Sequence, residues 1–102
     1  MLEQCQYDPE HQVILLTFKQ LPYWDQFVAD AQTLLVELTG ETPVDVASGM
    51  DKHIIHFHFD NCLFSLNYEE YSGSCWIELA DEGQEENIIN LTRRIKSYCK
   101  LD

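Results

Sequence analysis

Positive charge is scarce in this sequence. Its 102 residues include six Lys and Arg against eighteen Asp and Glu, which gives a formal net charge of −12 and a pI near 4.4. A protein that binds nucleic acid or an anionic membrane needs Lys and Arg to displace counterions. We therefore expect neither partner, and the acidic balance instead favours high solubility or a basic protein as the partner.

Long apolar runs are also absent. None approaches the roughly 18 residues that a membrane-spanning helix needs, and the N-terminus lacks the charged and apolar segments of a secretory signal. The four cysteines, at positions 5, 62, 75 and 99, show no C-x-x-C spacing. We therefore expect a single-domain cytosolic protein whose thiols are reduced and structural.

Signatures of catalysis are missing as well. The four glycines are dispersed, so no glycine-rich loop could cradle a phosphate. Ser65, His56 and Asp45 could form a hydrolytic triad, but Ser65 lies within a predicted strand and lacks the G-x-S-x-G turn. The sequence therefore predicts no catalytic residue, no cofactor and no enzymatic activity.

Alternation with a period of two dominates residues 52–60. The odd-numbered positions from 55 to 59 are all apolar and predict a wall of the core on one face of a β-strand. The other face of that strand would carry Ile54, His56 and His58. We expect the histidine face to be the surface that carries any function.

Further periodic segments predict four more strands and two helices. The other predicted strands are His11–Phe18, buried on both faces, Thr42–Ala47, at a sheet edge, Cys62–Glu69 and Cys75–Ala80. Apolar residues at three- and four-residue spacing predict helices over Pro22–Thr39, ended by Gly40, and from Asp81 onwards. The order β-α-β-β-β-β-α favours an α+β two-layer sandwich, with a five-stranded, mostly antiparallel sheet and both helices on one face.

Turn lengths predict which residues of neighbouring strands face each other. A two-residue turn at Asp60-Asn61 would place Phe57 opposite Phe64 on the core side of the sheet. The same register would place His53 opposite Tyr68, also on the core side.

Two further turns predict how the neighbouring strands pair with this hairpin. A loop over residues 71–74 would set Asn67 beside Glu78. A glycine-led turn of type II′ before residue 52 would put Asp45 opposite Ile54 and diagonal to the first histidine of the exposed face.

The face opposite the core has no helix left to cover it. Its predicted members are Ile54, His56, His58, Leu63, Asn67, Trp76 and Glu78. An outward-facing tryptophan among apolar neighbours is typical of the core of a protein interface, although it could also pack over Glu69 as an ordinary cross-strand pair. We therefore expect a protein-interaction surface, used for another protein or for homodimerisation.

The pair His56 and His58 allows a second hypothesis. Alternate side chains of a strand project from the same face about 6.5–7 Å apart, a spacing that can chelate one metal ion. Asp45 or Glu78 could supply a third ligand. Histidines that are partly exposed on a sheet need no metal, so a metal site stays the alternative to a protein interface.

Three stretches of the sequence carry a family resemblance. They are Gly49-Met50-Asp51-Lys52-His53, Tyr68-Glu69-Glu70-Tyr71-Ser72 and Cys75-Trp76-Ile77-Glu78, with the strand around Phe57 and Phe59 between them. In these stretches the chain resembles the domain-of-unknown-function family 3630, a small bacterial family. The resemblance covers most of the chain and implies a cytosolic bacterial protein. That family has no assigned activity, so the resemblance implies no site residues.

Overall fold

The computed structural model describes residues 2–101, which form six strands and two helices. The strands are β1 (Leu2–Asp8), β2 (Val13–Phe18), β3 (Asp45–Ser48), β4 (Lys52–Phe59), β5 (Cys62–Glu69) and β6 (Ser74–Leu79). The helices are α1 (Trp24–Thr39), between β2 and β3, and α2 (Glu85–Tyr98), after β6. Among the described residues, no helix is long and apolar enough to cross a membrane.

All the strands join one antiparallel sheet, in the order β1-β2-β6-β5-β4-β3. The predicted antiparallel meander is confirmed over β3 to β6, and β3 lies at an edge as expected. The prediction of five strands is wrong, because the polar N-terminal segment forms β1 and pairs with β2. Cys5 and Tyr7 of this strand pack towards the core, whereas Gln4 and Gln6 are exposed. The segment therefore has the period of two of a strand, although few of its residues are apolar.

Both helices pack on the same side of the sheet. α1 ends at Gly40, whose φ of 78° and backbone N–H bond to the carbonyl four residues earlier close its last turn. The predicted end of this helix is therefore confirmed. α2 begins later than the predicted Asp81, because Gln84 is its N-cap and forms a capping box with Asn87. Residues 81–84 serve as the loop that leaves β6.

The β4–β5 hairpin has the predicted register. Asp60 and Asn61 form its two-residue turn with φ values of 55° and 60°, the pair of positive values that a type I′ turn requires. Phe57 faces Phe64 on the core side, with ring centroids 5.8 Å apart. Two asparagine side chains of α2 donate hydrogen bonds to the Asp60 carboxylate at 3.1 and 3.3 Å, which ties the turn to that helix.

The register between β5 and β6 differs from the prediction by two residues. The loop spans residues 70–73, because Gly73 takes a φ of 67° and closes it one residue earlier than expected. Asn67 therefore faces Trp76, and Glu78 faces Ser65. A shift of two residues leaves every side chain on its predicted face, since strand side chains alternate with a period of two.

The register between β3 and β4 also needs a correction. Gly49 lacks the positive φ that a type II′ turn needs at its first central position, so the predicted turn type is wrong. The loop instead closes by a hydrogen bond from the Gly49 N–H to the Lys52 carbonyl at 2.8 Å. Asp45 consequently lies directly opposite His56 rather than diagonal to it.

One cluster of buried apolar side chains fills the space between the sheet and the helices. His53 is a polar side chain buried on the same side of the sheet, with 6% of its surface exposed. Its ring stacks on Trp24 with centroids 3.7 Å apart, and its Nε2 donates to the Trp24 carbonyl at 3.0 Å. Because a carbonyl only accepts, Nε2 carries a proton, and Nδ1 forms the second hydrogen bond, with the Ser48 hydroxyl at 2.7 Å. These bonds fix the start of α1 to the β3–β4 hairpin.

We expect Asn61→Val to lower the free energy of unfolding by about 1–2 kcal/mol, because a β-branched residue disfavours the positive φ of this position. Asn61→Gly should keep the wild-type stability, since glycine reaches positive φ without steric cost. Urea denaturation of the two variants measures the difference. Equal stability of both variants would contradict the assigned turn.

Candidate functional site: the open sheet face

The face of the sheet opposite the helices is open, and its side chains form rows that cross the strands. The central row consists of Gln6, Leu15, Trp76, Asn67, Ile54 and Ala47, each directly opposite the next. The acidic row beside it consists of Asp8, Val13, Glu78, Ser65, His56 and Asp45. Directly opposite side chains on one face are close enough to contact. Each row therefore acts as a continuous strip of surface.

Trp76 stands in the middle of the central row and is partly exposed. Leu15, directly opposite on β2, is 43% exposed. The Lys52 ammonium lies 5.2 Å from the centroid of a Trp76 ring, a cation–π contact that favours one position of the indole. The centre of this face is therefore apolar, aromatic and accessible to a partner.

A small polar network lies beneath these side chains. Asn67 and Ser65 are only 2% and 5% exposed, although no helix covers this side of β5. The Asn67 amide Nδ2 donates to the Ser65 carbonyl at 3.2 Å and to its hydroxyl at 3.0 Å, and lies 3.5 Å from the Trp76 carbonyl. No buried side-chain nitrogen or oxygen of the described residues lacks a hydrogen-bond partner. Asn67 thus supports the surface from below and adds little exposed area to it.

The two predicted metal ligands share the open face but have different surroundings. His56 Nδ1 donates to Asp45 Oδ1 at 2.7 Å, which leaves Nε2 as the one ring atom free to bind a metal. His58 is exposed and lines a polar hollow with Glu41 and Asp60. Within residues 2–101, no third ligand atom converges with the two imidazoles at metal-binding separation. Metal binding by these histidines stays a prediction.

One group of the described residues does bring three metal-ligand side chains together, namely Asp8, Glu10 and His11 in the turn between β1 and β2. The Asp8 carboxylate accepts hydrogen bonds from the backbone N–H of Glu10 (3.0 Å) and of His11 (3.4 Å) and from His11 Nδ1 (2.8 Å). The side-chain bond from His11 lowers the pKa of the Asp8 carboxyl. These hydrogen bonds stabilise the turn between β1 and β2, which explains why the three side chains lie together without a metal ion.

Sequence reasoning missed what β2 contributes to this face. The segment was expected to be buried on both sides, but Leu15 and Thr17 are exposed and Val13 is partly exposed. The pairing of β2 with β6 joins these side chains to Trp76 and Glu78. The apolar run Val13-Ile14-Leu15-Leu16 hides the period of two. Which residues of β2 are exposed depends on its pairing with β6, a strand that is distant in sequence.

The cysteines are free thiols, as expected, and three of them are poor nucleophiles. Burial raises the pKa of Cys5 to about 11 and that of Cys75 to about 12. Burial also raises the pKa of Cys99. Since the thiolate is the reactive form, these side chains suit a structural role.

Comparisons with known proteins identify a family for this architecture. A family model described as "Protein of unknown function (DUF3630)" matches residues 2–94, which include every strand of the sheet and most of α2. No curated protein and no solved structure matches the chain. The family match supports the resemblance carried by the sequence and brings no activity with it.

At pH 8 we expect Cys5 and Cys75 to resist alkylation by iodoacetamide in the folded protein. Burial blocks the reagent, and pKa values of about 11 and about 12 leave almost no thiolate at that pH. Unfolding in urea should lower both pKa values towards that of an exposed thiol, so both residues should then react. Mass spectrometry of the digested protein measures labelling at each position. Rapid labelling of Cys75 without urea would contradict its buried placement.

Proposed function

Since the chain belongs to the DUF3630 family of proteins of unknown function, we propose its function from the open face alone: this face docks a protein that presents apolar side chains flanked by Lys or Arg. The observation that carries the proposal is the central row, an apolar and aromatic strip with no helix over it. Apolar centres with polar rims are typical of protein–protein interfaces. The protein acts as a binding module in this proposal, without catalytic residues.

The charges around the central row favour a basic partner. The acids on the open face are Asp8, Asp45, Glu69 and Glu78, and the paired strand residues of that face include one ammonium, that of Lys52. A partner with Lys or Arg at the matching positions would gain Coulomb attraction and would associate faster. The formal net charge of −12 adds to the same preference.

Self-association through this face is less favourable than binding of a basic protein. In a twofold dimer the same patch of each copy meets the other, so the acids of both copies would lie in one interface. Like charges that meet in an interface oppose binding. Burial of Trp76 and Leu15 would favour either complex, and the rim charges therefore decide between them.

A photo-crosslinking amino acid placed at Thr17, an exposed open-face position beside Leu15, should capture a basic protein in the cells that naturally produce this chain. The same amino acid at Thr33, exposed on α1, should not capture it. Mass spectrometry identifies the captured protein. Capture of a second copy of this chain, or equal capture from both positions, would contradict the proposed use of the face.

With the captured partner purified, Trp76→Ala should weaken binding at least about tenfold, because aromatic anchors at interface centres often contribute about 2 kcal/mol or more. Added salt should also weaken binding, since it screens the acidic rim. Val36→Ala is the matched control, because it removes an exposed apolar side chain from α1. Isothermal titration calorimetry measures the affinity of the wild type, at low and high salt, and of the two variants. Wild-type affinity in a folded Trp76→Ala variant would exclude the central row as the binding surface.

A further inference from the structure

A cleft of about 530 Å³ opens on the helix side of the sheet, away from the open face. It lies between the N-terminal half of α1, the end of α2 and strands β1 and β2. Its walls are mainly apolar and include Leu16, Phe18, Phe27, Ala31, Leu34 and Leu66. Concave, mostly apolar sites of about 300–1,000 Å³ with a few polar groups are the usual form of small-molecule sites.

The cleft follows from the way the two helices meet. Arg94 Nε donates to the Leu38 carbonyl at 3.1 Å, which places α2 against the last turn of α1. α2 ends about one turn later, at Tyr98. The first turns of α1 therefore extend past the end of α2. The sheet below them, around Leu16 and Leu66, has no second helix over it.

Positive charge is concentrated towards the end of α2, and one of its basic residues lines this cleft. Four of the six Lys and Arg residues lie between positions 93 and 100, and Asp102 is the one acid after position 86. Lys100 lines the cleft, and the Arg94 guanidinium lies 5.7 Å from the ring centroid of Tyr98, which also lines it. Asp30 is the one acid among the described lining residues. In a chain of net charge −12, this region is where an anionic group is least disfavoured.

We propose that this cleft binds a small amphiphile with a carboxylate head group and an unbranched apolar tail, such as a medium-chain fatty acid. The tail lies against the apolar walls, and the carboxylate stays at the mouth near Lys100. An ammonium and a carboxylate form charge-assisted hydrogen bonds, and each buried methylene adds to the affinity. A cationic amphiphile of the same length cannot form these bonds with Lys100.

Isothermal titration calorimetry of the full chain with decanoate, decan-1-ol and decylammonium tests the head group. Decanoate should bind saturably, the alcohol more weakly and the ammonium most weakly. From hexanoate to decanoate the affinity should rise about fourfold for each methylene that the cleft buries. Absence of saturable decanoate binding, or equal affinity for the three head groups, would overturn the proposal.

The variant Lys100→Gly separates the effect of charge from that of folding. Lys100 has a φ of 56°, and the N–H groups of Lys100 and Leu101 bond to the carbonyls of Ser97 and Lys96, the helix end at which glycine is preferred. The variant should unfold at a higher temperature and yet bind decanoate about two- to fivefold more weakly. Lys100→Arg should keep the affinity. Unchanged decanoate binding in Lys100→Gly would overturn the role of the ammonium.

The location of the ligand is tested by filling the cleft. Ala31 is a small buried lining residue, so Ala31→Trp should lower decanoate affinity at least tenfold. Ala29→Trp adds the same side chain at an exposed position of the same helix and should keep the affinity. If Ala31→Trp does not fold, Ala31→Val and Ala31→Leu should weaken binding in order of their volume. Decanoate affinity that is independent of side-chain size at Ala31 would overturn the assigned site.

Discussion

The two-residue turn at Asp60-Asn61 is the constraint on which the rest of the sheet depends. Two positive φ values match the right-handed twist of the flanking strands and fix one register between β4 and β5. A slip of β4 by one residue against β5 would turn Phe57 to solvent and bring His56 and His58 into the core. Because β3 and β6 pair with the outer edges of this hairpin, its register aligns the centre of both rows of the open face. The Asp60 carboxylate, bonded to two asparagines of α2, aligns the helix with the same turn.

The two uncovered surfaces have a common geometric origin. Both helices lie on one side of the sheet, and α2 ends beside the first turns of α1. Since both helices lie on one side, the opposite face stays open, and a strip over β1 and β2 stays open beyond the end of α2. On the open face, the buried Asn67 amide forms hydrogen bonds with Ser65 and with the backbone, so its burial leaves no unpaired polar group. The strip over β1 and β2 is apolar, and it forms the cleft.

Features governed by a local rule could be predicted from the sequence. The alternation of β4, the Gly40 helix end and the Asp60-Asn61 turn each depend on a few adjacent residues, and the fold confirms them. The strand β1 could not be predicted, because its buried side is marked by few apolar residues, namely Leu2, Cys5 and Tyr7. The exposure of Leu15 depends on pairing with β6, which is distant in sequence. The length of the loop after β5 was predicted correctly, but not which four residues form it. Asn67, Trp76 and Glu78 therefore lie on their predicted face but have different cross-strand neighbours.

Charge separates the two surfaces that the fold leaves open. The open face carries acids on its rim, whereas the end of α2 carries four of the six basic residues of the chain. At physiological salt the Debye length of about 8 Å is shorter than the diameter of the helix layer, about 10 Å, so each field acts locally. Any coupling between the surfaces must therefore pass through packing. Leu66 lines the cleft and Asn67 supports the central row. They are consecutive residues of β5, so one strand holds a wall of each surface and a shift of that strand would alter both.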